Sequence, residues 1–201
     1  MANRLILASS SPRRYELLKQ MGLGFEVIPS RVEEGNFVQD ESPRDHVLQL
    51  SDAKALDVGR QYPNDWIIGA DTIVTINGII LGKPKTPGEA MEMLSLLSGR
   101  DHDVLSGIAV RHLSGGKADR EAVQTAVKMK PLTQDEMKWY IGTGEPFDKA
   151  GAYAIQGIGS FMIESIRGSY TNVVGLPLCE LIRMLTKLGA LKISDRGFEV
   201  L

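Results

Sequence analysis

Cysteine is almost absent from this chain of 201 residues, Cys179 being the only one. A single thiol closes no internal disulfide and lacks the Cys and His companions of a structural zinc site, so a disulfide scaffold and a zinc-built fold are both excluded. Cys179 is read as a small buried helix residue. Long apolar runs are missing too. No stretch reaches the roughly 18 uninterrupted apolar residues of a membrane span. Met1-Ala2-Asn3-Arg4 leads into only four apolar residues, Leu5-Ile6-Leu7-Ala8, which is too few for a signal peptide. With the free thiol, this predicts a cytoplasmic protein. Neither charge sign dominates. The 23 basic and 25 acidic side chains leave a net charge of −2, which argues against a nucleic-acid or anionic-membrane binder and makes any cationic site a local feature. The histidines, His46, His102 and His112, are scattered, and no His-x-x-x-His or Cys-x-x-Cys pair exists. Zinc catalysis therefore has no ligand set, and a serine-histidine-acid triad has no Gly-x-Ser-x-Gly elbow.

What is present is a globular composition, 43% apolar and 24% charged, long enough for one substantial core. One domain over 1–201 is predicted, with a tail from about 189. Leu5-Ile6-Leu7-Ala8 has the length of a buried strand, and it runs into Ser11-Pro12, a helix start in which proline's missing N–H costs nothing. Phe25 to Pro29 reads as a strand, and Ser42-Pro43 opens the next helix. The apolar stripe of that helix, through Val47, Leu50 and Val58, has Lys54 in its middle at 100° per residue. Trp66 to Ala70 and Ile73 to Ile76 read as two strands split by Asp71-Thr72. Asn77-Gly78 signals a hairpin into Ile79-Ile80-Leu81. Capping-box patterns at Thr86-Pro87-Gly88-Glu89 and Thr133-Gln134-Asp135-Glu136 open two more helices, and between them Val104 to Leu113 and Ala122 to Met129 read as strands. Gly142 to Gly175 holds seven glycines in 34 residues, which predicts loops of close backbone approach around a strand from Phe161 to Ile166. Leu178, Leu181, Ile182, Leu185 and Leu188 mark a final amphipathic helix. Hairpins interrupt the alternation of strands and helices, so a mixed α/β sheet is predicted rather than a purely parallel one.

Three constellations could carry chemistry. Ser9-Ser10-Ser11-Pro12-Arg13-Arg14 combines a helix N-terminus, hydroxyl donors and two guanidinium forks, the parts of a polyphosphate cradle at the carboxyl end of a strand. The plain alternative is a capped helix with solvated arginines. Gly69-Ala70-Asp71-Thr72 sets a carboxylate among apolar strand residues, where it must be paired or kept for work. Beside a polyphosphate such a group binds Mg²⁺ or takes a proton from an attacking water; otherwise backbone N–H groups at a strand break would satisfy it. Lys54 and Lys83 either snorkel to water or join Arg13 and Arg14 to supply four positive charges, about the charge of a nucleoside triphosphate. Two known phosphate motifs fail. Gly78 to Pro84 is one residue short of a P-loop and has proline where the Mg²⁺-binding hydroxyl belongs, and Gly157-Ile158-Gly159 continues to Met162 where a dinucleotide fingerprint needs a third small residue.

Ala8-Ser9-Ser10-Ser11-Pro12-Arg13-Arg14, Gly69-Ala70-Asp71-Thr72, Lys83-Pro84, Leu97-Ser98-Gly99-Arg100, the run from Gly144 to Gly157 and the run from Gly168 to Pro177 together resemble the Maf family of nucleoside triphosphate pyrophosphatases. The resemblance runs from Leu5 to about Leu188. It implies a fold similar to inosine triphosphate pyrophosphatases, a mixed sheet with helices on both sides and a central cleft, often paired as a homodimer. It also implies hydrolysis of a nucleoside triphosphate to the monophosphate and pyrophosphate with Mg²⁺ or Mn²⁺. By position, Asp71 matches the proton acceptor and a metal ligand. Arg13, Thr72 and Gln156 match positions that set substrate preference, and Ser9, Arg14, Lys54 and Lys83 match phosphate-side positions. Glu34 matches an acidic position near the metal. The Ala-Tyr-x-Ile-Gln-Gly form around Gln156 resembles the subfamily acting on dTTP and UTP. Asp101, Ser106 and Ala154 depart from the usual pattern, and none of these changes removes a charged catalytic group. Two other functions remain open on the sequence: a nucleotide-binding regulator of cell division without turnover, and a phosphatase releasing orthophosphate.

Overall fold

A computed structural model describes residues 3–33, 42–195 and 197–201. The first apolar run forms β1 (Leu5–Leu7), and Pro12 opens α1 (Pro12–Gln20). Ser11 occupies the N-cap position without a side-chain cap bond; instead its N–H donates to Ser9 Oγ at 3.2 Å. β2 (Glu26–Val27) is shorter than predicted. In α2 (Pro43–Gln61) the Ser42 hydroxyl accepts from the Asp45 N–H. β3 (Trp66–Ile76) is one strand of 11 residues where the sequence reads as two: the Asp71 carboxylate finds a side-chain partner, described below, and needs no break in the ladder. Asn77 (φ 51°) and Gly78 (φ 78°) turn the chain into β4 (Ile79–Leu81), as their dipeptide predicts.

Thr86 caps α3 (Pro87–Leu97) through its hydroxyl, while the Glu89 carboxylate accepts from the Lys85 N–H. β5 (Asp101–His112) and β6 (Lys117–Met129) both extend beyond the predicted spans. α4 (Gln134–Gly142) carries the full capping box between Thr133 and Glu136. The glycine-rich stretch forms three short 3₁₀ turns, then β7 (Ile163–Arg167) and a helix the sequence did not signal, α5 (Tyr170–Val174). α6 (Leu178–Leu188) ends at Gly189 in the left-handed region, φ 77°.

Two expectations are corrected at this end of the chain. The predicted tail is an antiparallel hairpin of β8 (Leu191–Ser194) and β9 (Gly197–Val200), paired from Leu191↔Val200 to Ser194↔Gly197 and anchored by buried Ala190 and Leu191. Cys179 is exposed, because the buried face of α6 runs through Leu181, Met184 and Leu185 and position 179 lies off that stripe.

The main sheet has the order β2-β1-β3-β5-β6-β7, with β4 paired to β3. β1 runs parallel to β2 and β3, whereas β3–β4 and β6–β7 are antiparallel, so the predicted mixed α/β architecture is observed. The chain gathers into two compact units. The first takes Met1–Asp71, Ser106–Val123 and Gly175–Leu201, and the second Thr72–Leu105 and Gln124–Val174. Ile6, Ala8, Ala55, Val58, Ile67 and Ala109 cluster in the first. Leu94, Leu97, Val127, Met129, Tyr140 and Met162 belong to the core of the second, each fully buried. Such a side chain contributes about 1.5–3 kcal/mol by leaving water. Among the described residues no helix is long and apolar enough to cross a membrane.

Candidate active site

The site begins with two glycines. A Cβ on Gly69 of β3 would lie 2.0 Å from the Ser51 carbonyl oxygen and 2.8 Å from the Ala55 nitrogen, and one on Gly107 of β5 would lie 2.0 Å from the Val47 carbonyl oxygen. β3 and β5 are neighbours, so these positions form a shallow seat in which the backbone of α2 rests on the sheet. Residues i and i+2 of a strand share a face, so Asp71 points to the same side as Gly69. Lys54 lies between Ser51 and Ala55 on the helix turn that touches Gly69. The result is an ion pair, Lys54 Nζ to Asp71 Oδ1 at 2.7 Å, with each side chain 7% exposed. The lysine that looked misplaced in its apolar stripe is buried as the stripe predicts and brings its charge to the one acid on that strand face. The pair holds the carboxylate in one orientation, the geometric condition for taking a proton or ligating a cation.

Arg14 organises the surrounding segments of the first unit. It is buried, and its Nε donates to the Gly175 carbonyl at 2.8 Å while Nη1 donates to Ser9 Oγ at 3.1 Å and to the Ala70 carbonyl at 2.9 Å. One guanidinium fork thus ties the end of β1, the residue before Asp71 and the approach to α6. Ser9, also buried, accepts from both Arg14 and the Ser11 N–H. Arg13 is half-buried on the same first turn of α1. The structure therefore gathers Ser9, Arg14, Lys54 and Asp71 in the first unit. Arg14 and Lys54, matched by resemblance to phosphate-side positions, here also bind groups of the protein itself.

In the second unit, Thr72 follows Asp71 on β3 and faces the opposite side by strand alternation. Lys83 is exposed just after β4. The carbonyl of Gly82 accepts from the Gly151 N–H at 3.0 Å, which joins the segment before Lys83 to the start of the loop that carries Gln156. Gln156 is exposed on that loop. Glu34 lies outside the described residues.

The sequence treats His102 as one of three unrelated histidines. In the fold it is buried, its Nε2 2.6 Å from the Tyr153 hydroxyl. Burial lowers its pKa to about 4 and pushes the Tyr153 phenol well above its usual range. Nothing in the spacing of these residues links them. The glycine seat was equally hidden, although a glycine inside each of two apolar strands is a signal of close approach.

Among the described residues no group of three or more His, Cys, Asp or Glu side chains is placed to hold a metal ion. The donor chemistry nevertheless fits a hard cation. Mg²⁺ dehydrates reluctantly and is commonly held by one or two carboxylates with substrate phosphates and water completing its shell, and Asp71 offers such a carboxylate.

A family model described as "Maf-like protein" matches residues 4–188. The chain is 48% identical over 201 residues to a protein of Syntrophus aciditrophicus (strain SB) named dTTP/UTP pyrophosphatase, covering 98% of each. A protein of the same name from Syntrophotalea carbinolica is 50% identical over 96% of this chain and 89% of its own length. Another, from Geotalea uraniireducens (strain Rf4), is 50% identical over 94% and 97%. Among solved structures, a HAM1 protein from Coxiella burnetii aligns at a TM-score of 0.49 with 14% identity, over 92% of this chain and 99% of that one.

Proposed function

The chain belongs to the Maf family, and from that premise we propose that it is a nucleoside triphosphate pyrophosphatase, converting dTTP and UTP to the monophosphate and pyrophosphate. The observation that carries the mechanism is the buried Lys54–Asp71 pair on the glycine seat. Asp71, oriented by Lys54, accepts the proton of a water as its oxygen attacks the α-phosphorus. The new P–O bond forms opposite the α–β bridge, that bridge breaks, and pyrophosphate leaves. Arg13 at the start of α1 neutralises phosphate charge and the Ser9 hydroxyl hydrogen-bonds a phosphate oxygen, with Lys83 a further phosphate-side cation by its place in the family motif alone, so positioning and charge neutralisation supply most of the acceleration. Arg14 contributes its charge there and fixes Ser9 and the residue before Asp71 in place. A divalent cation, Mg²⁺ or Mn²⁺, held by Asp71, would neutralise developing charge on the phosphate oxygens; Glu34, outside the described residues, is a second candidate ligand by resemblance only.

We propose substrate choice as the role of Arg13, Thr72 and Gln156, a reading supported by their resemblance to the family's motifs. The Gln156 amide presents a donor and an acceptor, matching the O4/N3–H edge of thymine and uracil, a pattern that adenine and cytosine lack. The cytoplasm as location and a homodimer as assembly are part of the same proposal; light scattering on the purified protein tests the second.

Incubation with dTTP and Mg²⁺ followed by product analysis tests the function. The proposal requires dTMP and pyrophosphate. Orthophosphate as the product indicates a phosphatase, and saturable binding without product indicates a regulator. Asp71→Asn is expected to lower kcat by at least about a thousandfold while nucleotide affinity stays within about tenfold. An active Asp71→Asn protein would remove this carboxylate from the mechanism.

A further inference from the structure

Gln156 stands exposed on a loop of the second unit whose two ends are each fixed by side chains. At the leading end, the Tyr153 hydroxyl meets His102 Nε2 at 2.6 Å, with the two rings edge to face at 5.2 Å. At the trailing end, the Glu145 carboxylate accepts from the N–H groups of Ile158 at 3.1 Å and Gly159 at 2.8 Å. These N–H groups open the 3₁₀ turn Ile158–Met162, so Glu145 serves that turn as a cap from 13 residues earlier in the chain. Burial opposes the charge on Glu145, but the neighbouring Tyr140 hydroxyl and the two N–H groups outweigh it and hold the carboxyl below its ordinary range.

The backbone between these anchors leaves no slack. Gly157 has φ 73°, and a Cβ there would lie 2.3 Å from Glu145 Oε1. A Cβ on Gly159 would lie 2.7 Å from the Ala154 carbonyl oxygen, so the loop closes on itself with Gln156 between. Before it, Ala152 is held in the left-handed region at φ 59°, a conformation that persists only where surrounding structure over-determines it. An exposed glutamine reads a base edge selectively only if its backbone is fixed, because displacement by about 1 Å is enough to spoil such a contact.

We propose that Glu145, together with the His102–Tyr153 pair, is a positioning residue for pyrimidine recognition: it fixes the Gln156 loop so that the amide meets the base edge. This rests on the pyrophosphatase function proposed above and deepens it. Glu145 acts through Gln156 and touches no substrate.

The test is a double-mutant cycle read by steady-state pyrophosphate release from dTTP and dATP. Glu145→Ala is expected to raise the KM for dTTP about tenfold, lower kcat by no more than about threefold, and reduce the preference for dTTP over dATP. In a Gln156→Ala background the same change is expected to alter KM by less than about twofold. Glu145→Gln keeps one acceptor oxygen and is expected to recover part of the loss. Tyr153→Phe keeps the ring and removes only the hydroxyl, so it repeats the cycle at the other anchor should Glu145→Ala fail to fold. A full tenfold effect that persists without Gln156, or an unchanged KM in Glu145→Ala, overturns the proposal. Wild-type protein that releases no pyrophosphate from either nucleotide overturns the pyrophosphatase function instead, a result separable from any behaviour of the variants.

Discussion

A lysine in the middle of an apolar helix face is costly unless an anion meets it there, and at position 54 Asp71 does so at 2.7 Å. The anomaly was legible in the sequence and its partner was not, since a helix residue and a strand residue 17 positions apart have no fixed relation until the two elements pack. Removing one member of such a pair is worse than removing both, because a buried charge without a counter-charge keeps its full desolvation cost. Lys54→Met is therefore expected to destabilise the protein by about 3 kcal/mol. The double variant Lys54→Met/Asp71→Asn is expected to recover most of that loss, as an amide needs no counter-ion. Urea unfolding of the single and double variants measures the difference, and a double variant as unstable as Lys54→Met would mean that the pair is not coupled. Arg14 illustrates the opposite case. Its place beside Arg13 in the motif was plain, but its bonds to the Gly175 and Ala70 carbonyls depend on segments far away in the chain.

Helix α2 owes its place to what two strands lack. With side chains at 69 and 107, its backbone would have to lift from β3 and β5, and Lys54 would lift with it. Gly69→Ala is expected to cost about 2–3 kcal/mol through overpacking against backbone atoms that cannot yield. It is also expected to lower kcat at least about tenfold by drawing the ammonium away from Asp71; thermal unfolding and dTTP turnover check the two effects separately. Most elements were legible because their signals are local: proline at the first turn of three helices, Asn-Gly at the β3–β4 turn, and the Thr133–Glu136 box. The errors came where partners are distant. Asp71-Thr72 reads as a strand break until Lys54 pairs the acid. The segment after Gly189 reads as a tail because each of its two strands has only four residues and gains its bonds from the other.

On the scale of the molecule, the buried His102 makes stability depend on pH. Its imidazole titrates near 4 in the fold and near about 6.5 in an unfolded chain. Between those values the unfolded state binds the extra proton, so stability is complete above about pH 6.5 and is lost as pH falls toward 4. The loss attributable to this residue approaches roughly 3 kcal/mol. His102→Gln is expected to flatten the decline in urea midpoints between pH 6.5 and 4.5, and an equally steep decline in the variant would acquit the histidine. Composition, hydrophobic period and motif order fixed the class of the fold, the family and the names of the candidate groups, because each of these is written in residues close together along the chain. Which groups touch was decided only by packing. Lys54 reaches Asp71, Arg14 reaches Ser9 and Gly175, Tyr153 reaches His102 and Glu145 reaches Gly159 because close approach of the backbones brings the groups within reach and an unpaired polar group is costly to bury, and neither condition exists until the strands and helices have come together.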